Sequence, residues 1–74
     1  MITVYSKDAC SYCDKAITLL KLKAKEHVVY KLGKDFDRDT ILEMFPQART
    51  FPIITLDKEF IGGYNELEKM LNKD

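Results

Sequence analysis

Apolar residues along the chain fall into short runs, and the spacing changes from one run to the next. Ile2-Thr3-Val4-Tyr5 joins β-branched and aromatic residues and predicts a strand. Ser6 to Ala9 is a polar connection. From there Cys13, Ala16, Ile17, Leu20 and Ala24 recur at helical spacing, with Lys15, Lys21 and Lys25 outside that face. His27 to Leu32 predicts a second strand, ended by Gly33. Asp35 to Asp39 supplies capping residues ahead of Ile41, Leu42, Met44 and Phe45, a short helix stopped by Pro46. Pro52-Ile53-Ile54-Thr55-Leu56 predicts a third strand, with proline at the first residue, where a missing N–H is tolerated. Asp57-Lys58 forms a two-residue turn into Glu59-Phe60-Ile61, although lysine is a poor turn residue. Gly62-Gly63 then precedes a last helix, Asn65 to Asn72, with Leu67, Met70 and Leu71 inward. The order is βαβαββα, an α/β chain expected to form one domain over residues 1–74. Its first βαβ unit should be a right-handed parallel crossover and its terminal hairpin antiparallel, giving a mixed sheet flanked by helices.

With 74 residues, 46% of them apolar, the chain is in the globular range. A domain this small buries only roughly 60% of its unfolded surface, so its core must be efficient. No run of about 18 apolar residues predicts a membrane span, and no basic segment followed by an apolar one predicts a signal peptide. A cytoplasmic protein without membrane attachment is expected. The net charge of zero argues against a dedicated nucleic-acid binder. Charge is nonetheless uneven. Residues 1–34 hold seven lysines against three acids, and residues 35–74 hold five basic residues against nine acids. Solvated faces account for this, since Lys21, Lys23 and Lys25 fall around a helix end; a dipolar surface that orients a charged partner is the sharper alternative.

The two cysteines, Cys10 and Cys13, are three apart. A bridge closing so short a loop constrains little unfolded-chain entropy, so stapling is a poor reason for it. One such pair also supplies half a structural zinc site, and His27 is the single histidine, so no metal site is expected. Redox chemistry remains. The pair lies where the first strand's connection becomes a helix, whose unpaired N–H groups and partial positive charge favour a thiolate. Thiols in such settings fall from about 8.5 to roughly 3.5–7. Cys10, at the first turn, is the expected nucleophile; Cys13, one turn in and facing the core, the resolving thiol. Lys7 offers a nearby cation, either for the thiolate or an anionic substrate or as a solvated loop lysine. Tyr12 is expected either to pack over the rim of the site or to serve a purely apolar role, and His27 is read as an ordinary strand residue.

Three blocks, in order and at the right separations, resemble the glutaredoxin family over nearly the whole chain. Lys7-Asp8-Ala9-Cys10-Ser11-Tyr12-Cys13 resembles its Lys-x-x-Cys-Pro-Tyr-Cys site. Arg49-Thr50-Phe51-Pro52 resembles its Thr-Val-Pro segment, whose proline is cis, and Ile61 to Leu67 resembles its Gly-Gly-Cys-Asp-x-Leu turn. The resemblance implies the thioredoxin fold with a four-stranded mixed sheet. It also implies a glutathione-dependent thiol–disulfide oxidoreductase that reduces protein disulfides and glutathione mixed disulfides. Glutathione would be the co-substrate, with no permanently bound cofactor. Its cysteine would pair with the backbone of Thr50-Phe51-Pro52 beside Tyr12. Its γ-glutamyl carboxylate would lie on Gly63, Tyr64 and Asn65, and its glycine carboxylate would face Lys7 and Arg49. Disulfide-bearing proteins, ribonucleotide reductase among them, are the implied partners of a monomer. The chain departs from the family pattern at Ser11, where proline is usual, and at Tyr64 and Asn65, where cysteine and aspartate are common. Asp39 falls near the place of a residue that usually faces the glycine carboxylate, leaving Arg38 as the substitute. Two other readings stay open. One is a thioredoxin-like electron donor to ribonucleotide reductase. The other is an iron–sulfur carrier bridging a cluster with Cys10 and glutathione from two copies, a reading the absent proline permits.

Overall fold

Alternation along β1 (Ile2–Ser6) divides its side chains between two layers: Ile2 and Val4 enter one core, and Tyr5 turns to the opposite face. The computed structural model describes residues 1–48 and 50–72. After β1 come α1 (Ser11–Leu22), β2 (His27–Lys31), α2 (Arg38–Met44), β3 (Ile53–Leu56), β4 (Glu59–Gly62) and α3 (Tyr64–Asn72). The strands form a four-stranded sheet in the order β2-β1-β3-β4. β1 and β2 are parallel, β1 and β3 antiparallel, and β3 and β4 antiparallel with an irregularity at Ile54/Thr55. This is the βαβαββα mixed sheet expected from the pattern.

The larger core layer is built by Ile2, Val4, Ala16, Leu20, Ile54, Leu67 and Leu71, so α1 and α3 cover one face together. On the opposite face Ile41, Phe45, Ala48 and Ile53 pack with Tyr5, Phe36, Phe51 and Phe60. Adjacent residues Ile53 and Ile54 thus serve opposite layers, as a strand's period of two requires. The short α2 buries only Ile41, with its C-cap Phe45 buried one turn further on. Leu42 and Met44, which the apolar run also offered, are 41% and 54% exposed.

Several boundaries move. α1 stops at Leu22 rather than running on to Ala24, which is exposed and left-handed with φ 53°. There Lys25 N–H donates to Leu20 O at 3.0 Å and Ala24 N–H to Lys21 O at 3.1 Å, the paired bonds of a Schellman stop. Apolar spacing continues through Ala24, but the helix does not. Leu32 lies beyond β2 and bridges Phe36. Pro52 lies just ahead of β3, and α3 begins one residue earlier than expected, at Tyr64. The Asp57-Lys58 turn forms as predicted, with both residues at positive φ, 51° and 74°.

Candidate functional site

Cys10 caps the N-terminus of α1. Its backbone is extended (φ −121°, ψ 103°), and its Sγ accepts the Cys13 N–H at 3.2 Å. Asp14 N–H donates to Cys10 O at the same distance, closing the first turn. Ala9, held left-handed at φ 54°, turns the chain into this cap. Cys10 and Cys13 form a disulfide, with their Cα atoms 5.3 Å apart. The two sulfurs are unequally placed: Cys13 is 2% exposed and belongs to the buried face of α1, whereas Cys10 is only partly covered. A helix N-terminus presents unpaired donors and partial positive charge to whatever occupies the cap, so a sulfur at Cys10 is in a setting that stabilises its anion.

The loop before the cap is tied to β2. Ser6 Oγ donates to Tyr30 O at 3.1 Å, and Lys31 Nζ pairs with Asp8 Oδ1 at 2.7 Å. The hydrogen bond to Asp8, and then its charge with that of Asp14, raises the Lys31 ammonium above its ordinary value.

Opposite Cys10 runs Thr50-Phe51-Pro52, with a cis peptide bond between Phe51 and Pro52. A cavity of about 390 Å³ lies between this segment and the cap, lined by Lys7, Cys10, Tyr12, Arg38, Thr50 and Phe51 among others. Lys7 Nζ sits 5.7 Å from the centre of the Phe51 ring. A second cavity of about 620 Å³ shares Tyr12, Thr50 and Phe51 with the first and continues along Pro52, Gly63, Tyr64, Asn65 and Glu66. The two make one groove beside Cys10. Across it the Tyr12 and Tyr64 rings are 5.9 Å apart. Lys15 lies 4.9 Å from the Tyr12 ring centre, and Tyr64 Oη donates to Glu68 at 3.2 Å. Desolvation, followed by the Glu68 carboxylate, pushes the Tyr64 hydroxyl above its ordinary 10.0.

Of the residues expected at a glutathione site, Lys7, Tyr12, Thr50, Phe51, Pro52, Gly63, Tyr64 and Asn65 line this groove. Arg49 lies outside the described residues. Arg38, considered only as a substitute, lines the wall near Lys7. Glu66 was not anticipated. Its Oε1 accepts the Gly63 N–H at 2.8 Å, reaching back over the first turn of α3 as in a capping box. The signal was present as a glutamate three residues past the cap, but glycine rather than serine or threonine stands at the cap itself. His27 Nδ1 donates to Lys25 O at 2.9 Å and lines neither cavity. Among the described residues no three or more His, Cys, Asp or Glu side chains gather as a metal set, and no helix is long and apolar enough to cross a membrane.

Comparison with known proteins agrees with this geometry. The glutaredoxin family model matches residues 2–61. The chain is 36% identical over 73 residues to Glutaredoxin-1 of Gallus gallus, covering 93% of this chain and 71% of that protein. It is 30% identical to a probable glutaredoxin of Synechocystis, covering 89% and 76%. Among solved structures, Glutaredoxin 1 of Francisella tularensis, complexed with cacodylate, superposes with TM-score 0.82 at 23% identity, over 97% of this chain and 92% of that one. A buckwheat glutaredoxin–glutathione complex gives 0.80 at 24% identity, over 97% and 68%. The fold is therefore that of the thioredoxin superfamily, and the chain belongs to the glutaredoxin family, whose members are in general thiol–disulfide oxidoreductases.

Proposed function

We propose that this glutaredoxin reduces protein disulfides and glutathione mixed disulfides at the expense of glutathione, with Cys10 as nucleophile and Cys13 as resolving thiol. The observation that carries the reading is the inequality of the two sulfurs. Cys10 sits at the helix cap, facing the groove, and Cys13 lies 2% exposed behind it. Cys10 thiolate attacks one sulfur of a substrate disulfide; a Cys10–substrate bond forms, and the other substrate sulfur leaves as a thiolate that takes a proton from water. Cys13 gives up its proton and attacks Cys10 Sγ, releasing the second substrate thiolate and leaving the enzyme oxidised by two electrons. One glutathione thiolate reopens the disulfide at Cys10, and a second attacks that mixed disulfide to release glutathione disulfide. In glutathione's place, the Gly63-Tyr64-Asn65 end of the groove suits the γ-glutamyl carboxylate, because helix geometry leaves the first amides of α3 without intrahelical partners. Lys7 and Arg38 suit the glycine carboxylate by charge. A reducing compartment such as the cytoplasm fits a thiol that must be regenerated.

The test is turnover of two substrates by single variants. Cys10→Ser should lose all activity. Cys13→Ser should keep reduction of a small glutathione mixed disulfide and lose reduction of an intramolecular protein disulfide. Retained turnover in Cys10→Ser would overturn the roles. If glutathione reduces the oxidised protein no faster than a model disulfide, the thioredoxin-like donor is the better reading. A coloured, cluster-bearing dimer on anaerobic purification would point to the iron–sulfur carrier.

A further inference from the structure

The helix cap that holds the cysteines has two sides. One is the groove, whose wall includes Cys10 but not Cys13. The other is a cavity of about 340 Å³ between the start of α1 and the end of β2, and both cysteines line it. Cys13 is 2% exposed, so this wall is where it meets something other than the core. The rest of the lining is charged: Lys7 and Asp8 from the loop, Asp14 from α1, Lys31 from β2, and Lys34 and Asp35 from the turn beyond. Its three carboxylates are not equivalent. Asp8 is held by the Lys31 ammonium at 2.7 Å, and Asp35 accepts the Lys31 N–H at 2.9 Å. The Asp14 carboxylate takes part in no hydrogen bond or ion pair among the described residues. After the hydrogen bond and charge of Asp8, it is the charge of Asp14 that acts on the Lys31 ammonium, across the same cavity. Asp14 also borders the shallow concavity on the outward side of α1, so it joins the cavity to open solvent.

We propose that Asp14 accepts the proton of Cys13 in the resolving step, through water in the cavity that backs the cysteines. The inference rests on the redox reading above and assigns a transfer which that reading leaves open. When Cys13 attacks Cys10 Sγ, the Cys10–Cys13 bond forms and the bond from Cys10 to the substrate sulfur breaks. That sulfur leaves with the electron pair as a thiolate on the groove side, with Cys10 between it and Cys13. The Cys13 proton therefore departs by the opposite side: it passes to a water, a proton of that water passes to Asp14, and Asp14 releases it to solvent. A cavity of this volume has room for several waters, at about 30 Å³ each. A carboxylate is a weak base toward a thiol, so the transfer accompanies the attack on sulfur and is not completed before it. Carboxylates beside a thiol also disfavour its thiolate, and the lysines of the lining, Lys31 above all, offset that repulsion. Lys31 and Asp8 are in this sense positioning residues, and Asp14 is the acceptor.

The experiment mixes the reduced protein with a substoichiometric amount of a symmetric nitrobenzoate disulfide, whose thiolate is coloured. A first release of colour follows attack by Cys10, and a second follows resolution by Cys13; Cys13→Ser should give the first alone. Asp14→Asn should slow the second release on the order of ten- to a hundred-fold near neutral pH and leave the first no slower. The native second release should change little across the neutral range. In Asp14→Asn it should climb by about ten-fold per pH unit, because hydroxide from solvent must then take the proton. Asp14→Glu should restore most of the rate, and Asp8→Asn, which removes a carboxylate already engaged, should not slow it. A second release in Asp14→Asn with the native rate or the native pH profile would overturn the proposal, as would an equal loss in Asp8→Asn. A native protein that gives no first release, or a Cys10→Ser variant that matches the native one, would instead defeat the redox reading and this inference with it.

Discussion

At Gly62 the backbone takes φ +141°, and a β-carbon placed there meets Glu66 Cγ and Oε1, each at 2.6 Å. The conformation suits glycine, and the space is already filled by the side chain that caps Gly63. Gly62→Ala should therefore displace Glu66 and lose about 1–3 kcal/mol, seen as a lower Tm, with a raised KM for glutathione. Ala24 and Lys58 present the opposite case, left-handed positions occupied by residues that resist them, at φ 53° and 74°. Ala24→Gly should stabilise by about 1 kcal/mol, and Lys58→Gly by a similar amount, since a β-carbon costs roughly that much in this region. In a domain this small each gain corresponds to a Tm rise of about 4–8 °C, and the two changes should add because the sites share no partner. A fall in Tm for either would mean that the local turn is set by something other than its dihedral angles.

Of the three helices, α2 is the shortest and leans most on its cap. Asp37 accepts the Thr40 N–H at 2.7 Å, and hydrogen bonds from Thr40 hold its carboxyl below the ordinary 3.8. A lowered folded value means the contribution is present above the unfolded value and is lost as pH falls through the folded one. The Tm advantage of the native chain over Asp37→Ser should then be constant near neutrality and shrink below about pH 4; an advantage unchanged at pH 2 would remove the charged cap from the account. This helix also marks what could be read from the sequence. Its existence followed from Asp37, Ile41 and Phe45, but which of four apolar residues faced inward depended on the sheet beneath it, and only Ile41 and Phe45 are buried. The strands were legible from β-branched runs, and the cysteine cap from its place after a strand. The end of α1 was not, because alanine rather than glycine stands at the Schellman position. Nor was Glu66 over Gly63, whose position is fixed by a side chain folding back on the preceding turn, whereas Arg38, named from the sequence as a substitute, does line the groove wall.

The sheet order β2-β1-β3-β4 converts a division along the sequence into one across the fold: the lysine-rich first half supplies β1, α1 and β2, and the acidic second half supplies β3, β4 and α3. The halves join through the β1–β3 pairing and through α1 against α3, where Leu20 and Leu67 are fully buried. A domain of this length holds on the order of 4–11 kcal/mol in all. Leu67→Ala should remove about 2–5 kcal/mol of it, leaving a protein partly unfolded at modest denaturant. Wild-type resistance to urea in that variant would show that the seam is not the main support. The facing rings of Tyr12 and Tyr64 have a spectroscopic consequence. With four tyrosines and no tryptophan, the ultraviolet emission of this protein is tyrosine emission alone. Disulfides quench nearby phenols by accepting an electron from their excited state, and Tyr12 lies between the two cysteines. Emission should brighten when the Cys10–Cys13 bond is reduced and dim when it reforms, and Tyr12→Phe should remove most of the change. The oxidation state of the native protein would then be readable in a cuvette, without dye or label.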